Sequence, residues 1–144
     1  MMTTKQRRAI KILTAAVALV LLITSPLMVR AWRQTRAFGL AFEGYAAEVR
    51  SGQYKNAYEI GCSDFKSATP FPQFVSVYQS LGSSLGELQS ITRGRTVVQG
   101  TGTPAEWWAE TDATFEFKRG RAVYRMWFRE IDGRWRLYGF RRTQ

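Results

Sequence analysis

Few side chains in this 144-residue chain could do acid–base or nucleophilic chemistry. There is no histidine, which removes imidazole catalysis, Ser-His-Asp triads and histidine metal ligands. Cys62 is the single cysteine, so neither an intramolecular disulfide nor a cysteine-cluster zinc site can form. With no imidazole to activate it, Cys62 reads as a small buried hydrophobe rather than a nucleophile. An intermolecular disulfide stays open if the domain faces an oxidising compartment. The aspartates are Asp64, Asp112 and Asp132. Asp132 falls in an Asp-Gly turn and Asp64 follows Cys62-Ser63 as a loop cap. Asp112 lies on or near a strand and is the one candidate general base, with a solvated strand carboxylate as the plainer alternative. No cofactor or metal site is expected.

These residues follow a long apolar segment. Lys5, Arg7, Arg8 and Lys11 precede an uncharged run from Ile12 to Val29, and Arg30, Arg33 and Arg36 follow it. Eighteen helical residues reach about 27 Å, near the thickness of a bilayer's hydrocarbon core. Thr14, Thr24 and Ser25 can bond back to helix carbonyls, and Pro26 sits near the far end, where a kink is tolerated. The run fits an uncleaved anchor, a signal peptide cut near Val29-Arg30-Ala31, or a buried soluble helix. Arg30 inside that cleavage site, with bulky Met28 and Val29 before it, favours the anchor. The expected organisation is a basic tail over 1–11, a transmembrane helix over 12–29, a basic juxtamembrane segment over 30–36 and a soluble α+β domain over 37–144. Trp32 suits the membrane interface, and equally a helix packed on the domain. The short basic tail favours a cytoplasmic N-terminus. The expected location is the inner (cytoplasmic) membrane, crossed once, with the domain extracytoplasmic.

Roughly 110 residues after the span suffice for one domain with one core. Phe38, Ala41, Phe42, Tyr45 and Val49 recur at helical spacing, and Gly52 stands where a helix would end. Tyr54 to Ile60 predicts a second helix stopped by Gly61. A third is expected to start at Ser67 or Thr69 and to run through Phe74, Val75 and Tyr78 toward Leu81, loosened by Gly82 and Gly86. The period then changes. Ile91, Val97 and Val98, among glycines and threonines, predict strand, turn, strand, and Gly100 to Pro104 a loop. Three aromatic, β-branched runs follow over about 108–117, 122–130 and 134–141. Asp132-Gly133 between the last two is a strong hairpin signal. Alternation puts Ala122, Tyr124, Met126 and Phe128 on one face and Val123, Arg125, Trp127 and Arg129 on the other. In the last strand it sets Trp135 and Leu137 against Arg136, Tyr138 and Phe140.

Three patterns sharpen this order. Phe42-(x)2-Tyr45 precedes Ser51-Gly52-Gln53-Tyr54-(x)2-Ala57-Tyr58. Leu81-Gly82 leads into Leu85-Gly86 and Leu88. Asp132-Gly133-Arg134-Trp135-Arg136-Leu137-Tyr138-Gly139-Phe140 closes the chain. Together they resemble the nuclear transport factor 2-like superfamily over residues 37–141, closest to small membrane-anchored bacterial members of unknown function. The resemblance implies an α+β cone, a curved antiparallel sheet wrapped by helices, with Trp135 and Leu137 pointing inward. The superfamily includes isomerases, dehydratases, polyketide cyclases, secretion-system subunits and proteins that only bind. Its enzymes typically carry an aspartate base or an Asp–His pair in the cone, and the absence of histidine removes the pair.

Charge is uneven. Residues 118–142 hold nine basic and two acidic side chains, a net +7 of the chain's +10. Arg119, Arg121, Arg125, Arg129, Arg134 and Arg136 therefore form a candidate anion-facing patch, with a solvated sheet face as the alternative. Tyr45, Tyr124, Trp127 and Trp135 are the candidate lining of an apolar ligand site in the cone, with plain core as theirs. The leading expectation is a non-catalytic, membrane-tethered envelope protein binding a protein partner, a second copy or a small apolar ligand. A subunit of a secretion or envelope assembly and a small isomerase- or cyclase-like enzyme using Asp112 are the alternatives. Nucleic acid is disfavoured, because an exported domain rarely meets it.

Overall fold

Apolar residues at three- and four-residue spacing build the first element, helix α1 (Thr4–Arg50). The computed structural model describes the backbone of residues 4–144 and the side chains of residues 10, 12–22 and 24–144. The tail's first three residues and the side chains of Lys5, Arg7, Arg8 and Lys11 lie outside the described residues. The chain forms two compact units, Met1–Arg33 and Gln34–Gln144.

In the first unit the helix exposes its apolar side chains; Leu13, Leu22 and Met28 are 67%, 72% and 70% exposed. It is long and apolar enough to cross a membrane, with a mean hydropathy of 2.5 over its best stretch. Thr14 and Thr24 donate to the carbonyls of Ile10 and Val20, each at 2.8 Å, so their hydroxyls add no unpaired polar group to that surface. Pro26 lies inside the helix.

In the second unit, Phe38, Phe42, Tyr45 and Val49 form one fully buried stripe. Gly52, at φ 75°, ends the helix. Its N–H bonds the Val49 carbonyl at 3.1 Å and the Gln53 N–H bonds the Glu48 carbonyl at 2.9 Å, the paired closure of a left-handed glycine cap. Helix α2 (Tyr54–Glu59) follows and stops at Gly61, where a Cβ would run into the Phe65 ring. The sequence pattern missed a helix here: α3 (Ser63–Ala68) is capped by the Cys62 sulfur, which accepts from the Phe65 N–H at 3.5 Å. Cysteine is a weak acceptor outside the usual capping set, so the start signal is faint. Helix α4 (Phe71–Leu85) begins at Pro70 rather than Ser67 or Thr69. It continues through Gly82 and ends at Gly86, φ 86°. It buries Phe74, Tyr78 and Leu81.

Four strands complete the domain: β1 (Leu88–Thr101), β2 (Glu106–Phe117), β3 (Gly120–Ile131) and β4 (Arg134–Arg142), antiparallel in the order β1-β2-β3-β4. The predicted turn between Ile91 and Val97 is a bulge instead. Arg93 pairs with Ala113 and Thr96 with Thr111, so β1 spends one extra residue. Gly94 sits inside it, where a Cβ would lie 3.1 Å from the Asp112 carbonyl oxygen. β1 has another register shift between Leu88 and Ser90, and a third irregularity lies in β4. Trp127 pairs with Gly139 but Phe128 with Leu137, so the alternation slips. Phe140 consequently turns to the helix side, against Phe65, Phe74 and Tyr124, rather than sharing a face with Tyr138. The outer edge of β4 is partly covered, because the Cys62 N–H bonds the Leu137 carbonyl and the Leu137 N–H bonds the Ile60 carbonyl.

Candidate functional site

The helix-covered face of the sheet is filled by the protein's own aromatics. Phe128 lies 5.2 Å from Phe38, 6.4 Å from Phe42 and 6.3 Å from Tyr45, ring centre to ring centre, in edge-on arrangements. Met126, Phe115 and Leu137 are likewise buried around them. The Tyr45 and Tyr78 hydroxyls bond to each other inside this core. Burial pushes both hydroxyls above the ordinary tyrosine range; for Tyr45 the bond to Tyr78 opposes the shift, and for Tyr78 the neighbouring Tyr45 adds to it.

The four aromatics expected to line one pocket do not converge. Tyr45 and Trp135 are packed in the core, at 0% and 6% exposure. The Trp135 indole N–H has no hydrogen-bond partner among the described residues. Tyr124 faces the helices and borders a crevice of about 340 Å³ with Ser80, Leu81 and Arg142. Burial raises its hydroxyl, opposed by Arg142. Trp127 stands on the opposite face. The reason is the period of two: odd and even positions of β3 cannot share a pocket.

That opposite, helix-free face carries most of the polar chemistry. Arg125 Nε donates to Asp112 Oδ1 at 3.0 Å and lies 3.3 Å from Glu110 Oε1. Trp127 Nε1 donates to Glu110 Oε2 at 3.0 Å, and Arg129 Nη2 to Glu106 Oε2 at 3.0 Å. The Arg129 guanidinium sits 4.9 Å from the Trp108 ring centre, and Trp108 meets Tyr138 edge-on at 5.2 Å. A groove of about 350 Å³ runs between β1 and this cluster, lined by Arg95, Val97, Trp108, Asp112, Arg125 and Trp127, among others. Asp112, the candidate base, is thus ion-paired on an open face, with its side chain 28% exposed.

The six arginines of the charge-based patch fall into different settings. Arg125 and Arg129 are paired with β2 carboxylates. Arg136 donates to the Glu59 carbonyl at 3.3 Å and Arg119 to the Ser83 carbonyl at 3.2 Å. Arg121 and Arg134 are exposed. Summing charge along the chain hid this, because Glu106, Glu110 and Asp112 are remote in sequence yet cross-strand neighbours in β2. The hairpin register that places Asp112 opposite Arg125 and Glu110 opposite Trp127 was the available signal. Trp108 and Tyr138 belong to this site and were not singled out by the sequence. Among the described residues no group of three His, Cys, Asp or Glu side chains could hold a metal ion.

Helices over one face of a curved four-stranded antiparallel sheet, after a long apolar N-terminal helix, make an α+β fold consistent with the cone that the sequence resemblance implies. Among solved structures the chain is similar to Aln2 from a Streptomyces species. The TM-score is 0.56 with 7% identity, over 78% of this chain and 90% of that one, which is a likeness of fold alone. No protein family's sequence pattern matches the chain, and no curated protein matches it.

Proposed function

We propose that this protein is a non-catalytic, membrane-tethered module of the cell envelope. Its α+β domain stands outside the cytoplasm and docks a protein partner on the open face of the sheet. One observation carries the reading. The cone is packed with its own aromatics, while Trp108, Trp127 and Tyr138 are kept on an uncovered face among paired charges. Part-exposed tryptophan, tyrosine and arginine are the side chains that dominate protein interfaces. Ion pairs made within the face satisfy its charges before any partner arrives, which lowers the desolvation penalty of docking. The apolar helix supplies the tether, and a small assembly subunit is one form this role would take.

The test is affinity purification of the full-length, detergent-solubilised protein, with co-purifying proteins and small molecules both identified. The expected result is a partner protein recovered in stoichiometric amount and lost with Trp127→Ala/Tyr138→Ala, whose thermal midpoint stays within a few degrees of the parent's. A small apolar molecule recovered at one per chain, with no protein sensitive to that double substitution, overturns the reading.

A further inference from the structure

The two edges of the sheet are treated differently. β4 is covered in part by residues 60–62, as described above. Along the outer edge of β1, no backbone hydrogen bond is made among the described residues, so its outward N–H and C=O groups face solvent. Natural edges are usually short or guarded by charge. β1 has 14 residues, and its final stretch, Thr96-Val97-Val98-Gln99-Gly100-Thr101, holds no charge and no proline. That stretch is the bare part.

Both faces beside this edge are hollow. On the open face the Trp108–Trp127 groove borders β1 at Arg95, Val97 and Gln99. On the helix side a second groove, of about 390 Å³, lies between α1 and β1 and is bordered by Phe42, Ala46, Arg50, Ile91 and Arg93. The grooves flank successive stretches of β1, the helix-side one at residues 91–93 and the open-face one at residues 95–99. A strand added along β1 would set side chains of one face in the helix-side groove near one end and side chains of the other face in the open-face groove along the rest. The bulge at Gly94 turns successive arginines to different sides, so Arg95 borders the first groove and Arg93 the second. Neither Arg93, Arg95 nor Arg50 has a carboxylate within 4.0 Å among the described residues. The Arg93 guanidinium is carried 5.8 Å above the Phe38 ring. Glu43 borders the second groove and Glu110 and Asp112 the first, where Arg125 pairs with both, so the four arginines around the two grooves outnumber the three carboxylates.

We propose that β1 is a strand-addition site for an extended, acidic partner peptide. Main-chain bonds would form along Thr96–Thr101, and peptide carboxylates would meet Arg93, Arg95 and Arg50. The uncharged stretch supplies backbone pairing that is indifferent to sequence, while the arginines supply preference for acid over base. If the arginines only guarded the edge against aggregation, they would repel basic strands without recruiting acidic ones.

The experiment uses the full-length protein in detergent micelles and a blocked, fluorescein-labelled octapeptide of the repeat valine-valine-glutamate-glutamate, which carries glutamates on both faces of an extended strand. Saturable binding with Kd below about 1 mM is expected, and binding at least about tenfold weaker for the valine–lysine counterpart. N-methylation of every second amide is expected to abolish binding in one of its two phases and spare it in the other, because an added strand uses one edge only. Arg93→Glu/Arg95→Glu should reverse the charge preference. Absence of saturable binding, equal effects of the two methylation phases, or an unchanged preference in a folded double variant overturns the proposal. The methylation arm uses the unaltered protein, so it decides even if that variant does not fold.

Discussion

The hydroxyls of Tyr45 on α1 and Tyr78 on α4 are bonded to each other in the core, joining two helices through a single polar contact within an aromatic cluster. Each hydroxyl satisfies the other where water does not reach. Removing one leaves its partner buried and unpaired, so Tyr45→Phe or Tyr78→Phe should each cost about 1–3 kcal/mol. The double substitution should cost less than the sum, because nothing polar is then stranded. Urea unfolding of the parent and three variants, analysed as a double-mutant cycle, measures the coupling.

The same pair sets an alkaline limit. Both hydroxyls ionise above the ordinary tyrosine value of 10.0 in the folded protein, because burial disfavours the anion. A raised folded value means that the unfolded state loses its proton first. The contribution is therefore complete below about pH 10 and is lost as pH rises beyond it. The unfolding midpoint should hold to about pH 9.5 and then fall, and the fall should be shallower in Tyr45→Phe/Tyr78→Phe. An equally steep fall in that variant would place the alkaline weakness elsewhere.

Two glycines of α1, one inside the helix and one in its cap, should respond in opposite directions. Gly52 holds φ 75° in the cap of α1, so Gly52→Ala should destabilise by about 1–2 kcal/mol. Gly44 is an exposed helical position with open space where a Cβ would stand. Gly44→Ala should stabilise by up to about 1 kcal/mol. Thermal unfolding of the two variants beside the parent reads both signs.

On the open face, the Arg125–Asp112 pair is half in water, with side chains 39% and 28% exposed. Solvent screening discounts it, and Arg125→Gln should cost under about 1 kcal/mol of stability. Its larger effect should be on docking, since Glu110 and Asp112 would lose their shared cation and the groove would turn net acidic. Unchanged unfolding together with weakened recovery of the partner is the expected pair of results.

Much of this architecture was legible in the sequence because it depends on local rules. The Phe38-Phe42-Tyr45-Val49 stripe, the glycine end at Gly52 and the Asp132-Gly133 hairpin each state their own conformation. The cone itself was an implication of the family resemblance that these residues carry. What misled was any inference that counted along the chain past an irregularity. One extra residue at Gly94 turned an expected turn into a continuous strand, and the slip at Tyr138–Gly139 sent Phe140 to the other face. Cys62 hid a helix start because sulfur is a poor cap. The candidate site was harder still. Its ion pairs join residues 13 to 23 positions apart across a hairpin, and a charge sum along the chain cannot see that β2 carboxylates face β3 arginines.

The tether and its direction can be read with one engineered thiol. The native Cys62 is buried at 6% exposure, so it should resist maleimide in the folded protein and provide a silent background. Ser51→Cys, at an exposed position beside the α1 cap, should react. In intact cells a membrane-impermeant maleimide should label that position if the domain lies outside the cytoplasm, and labelling should not rise on lysis. The same protein should stay with the membrane after alkaline carbonate extraction, as expected for an apolar helix held in the bilayer. Labelling that appears only after lysis would reverse the orientation. Release into the carbonate supernatant would remove the tether, and with it the argument that the open sheet face works at a membrane.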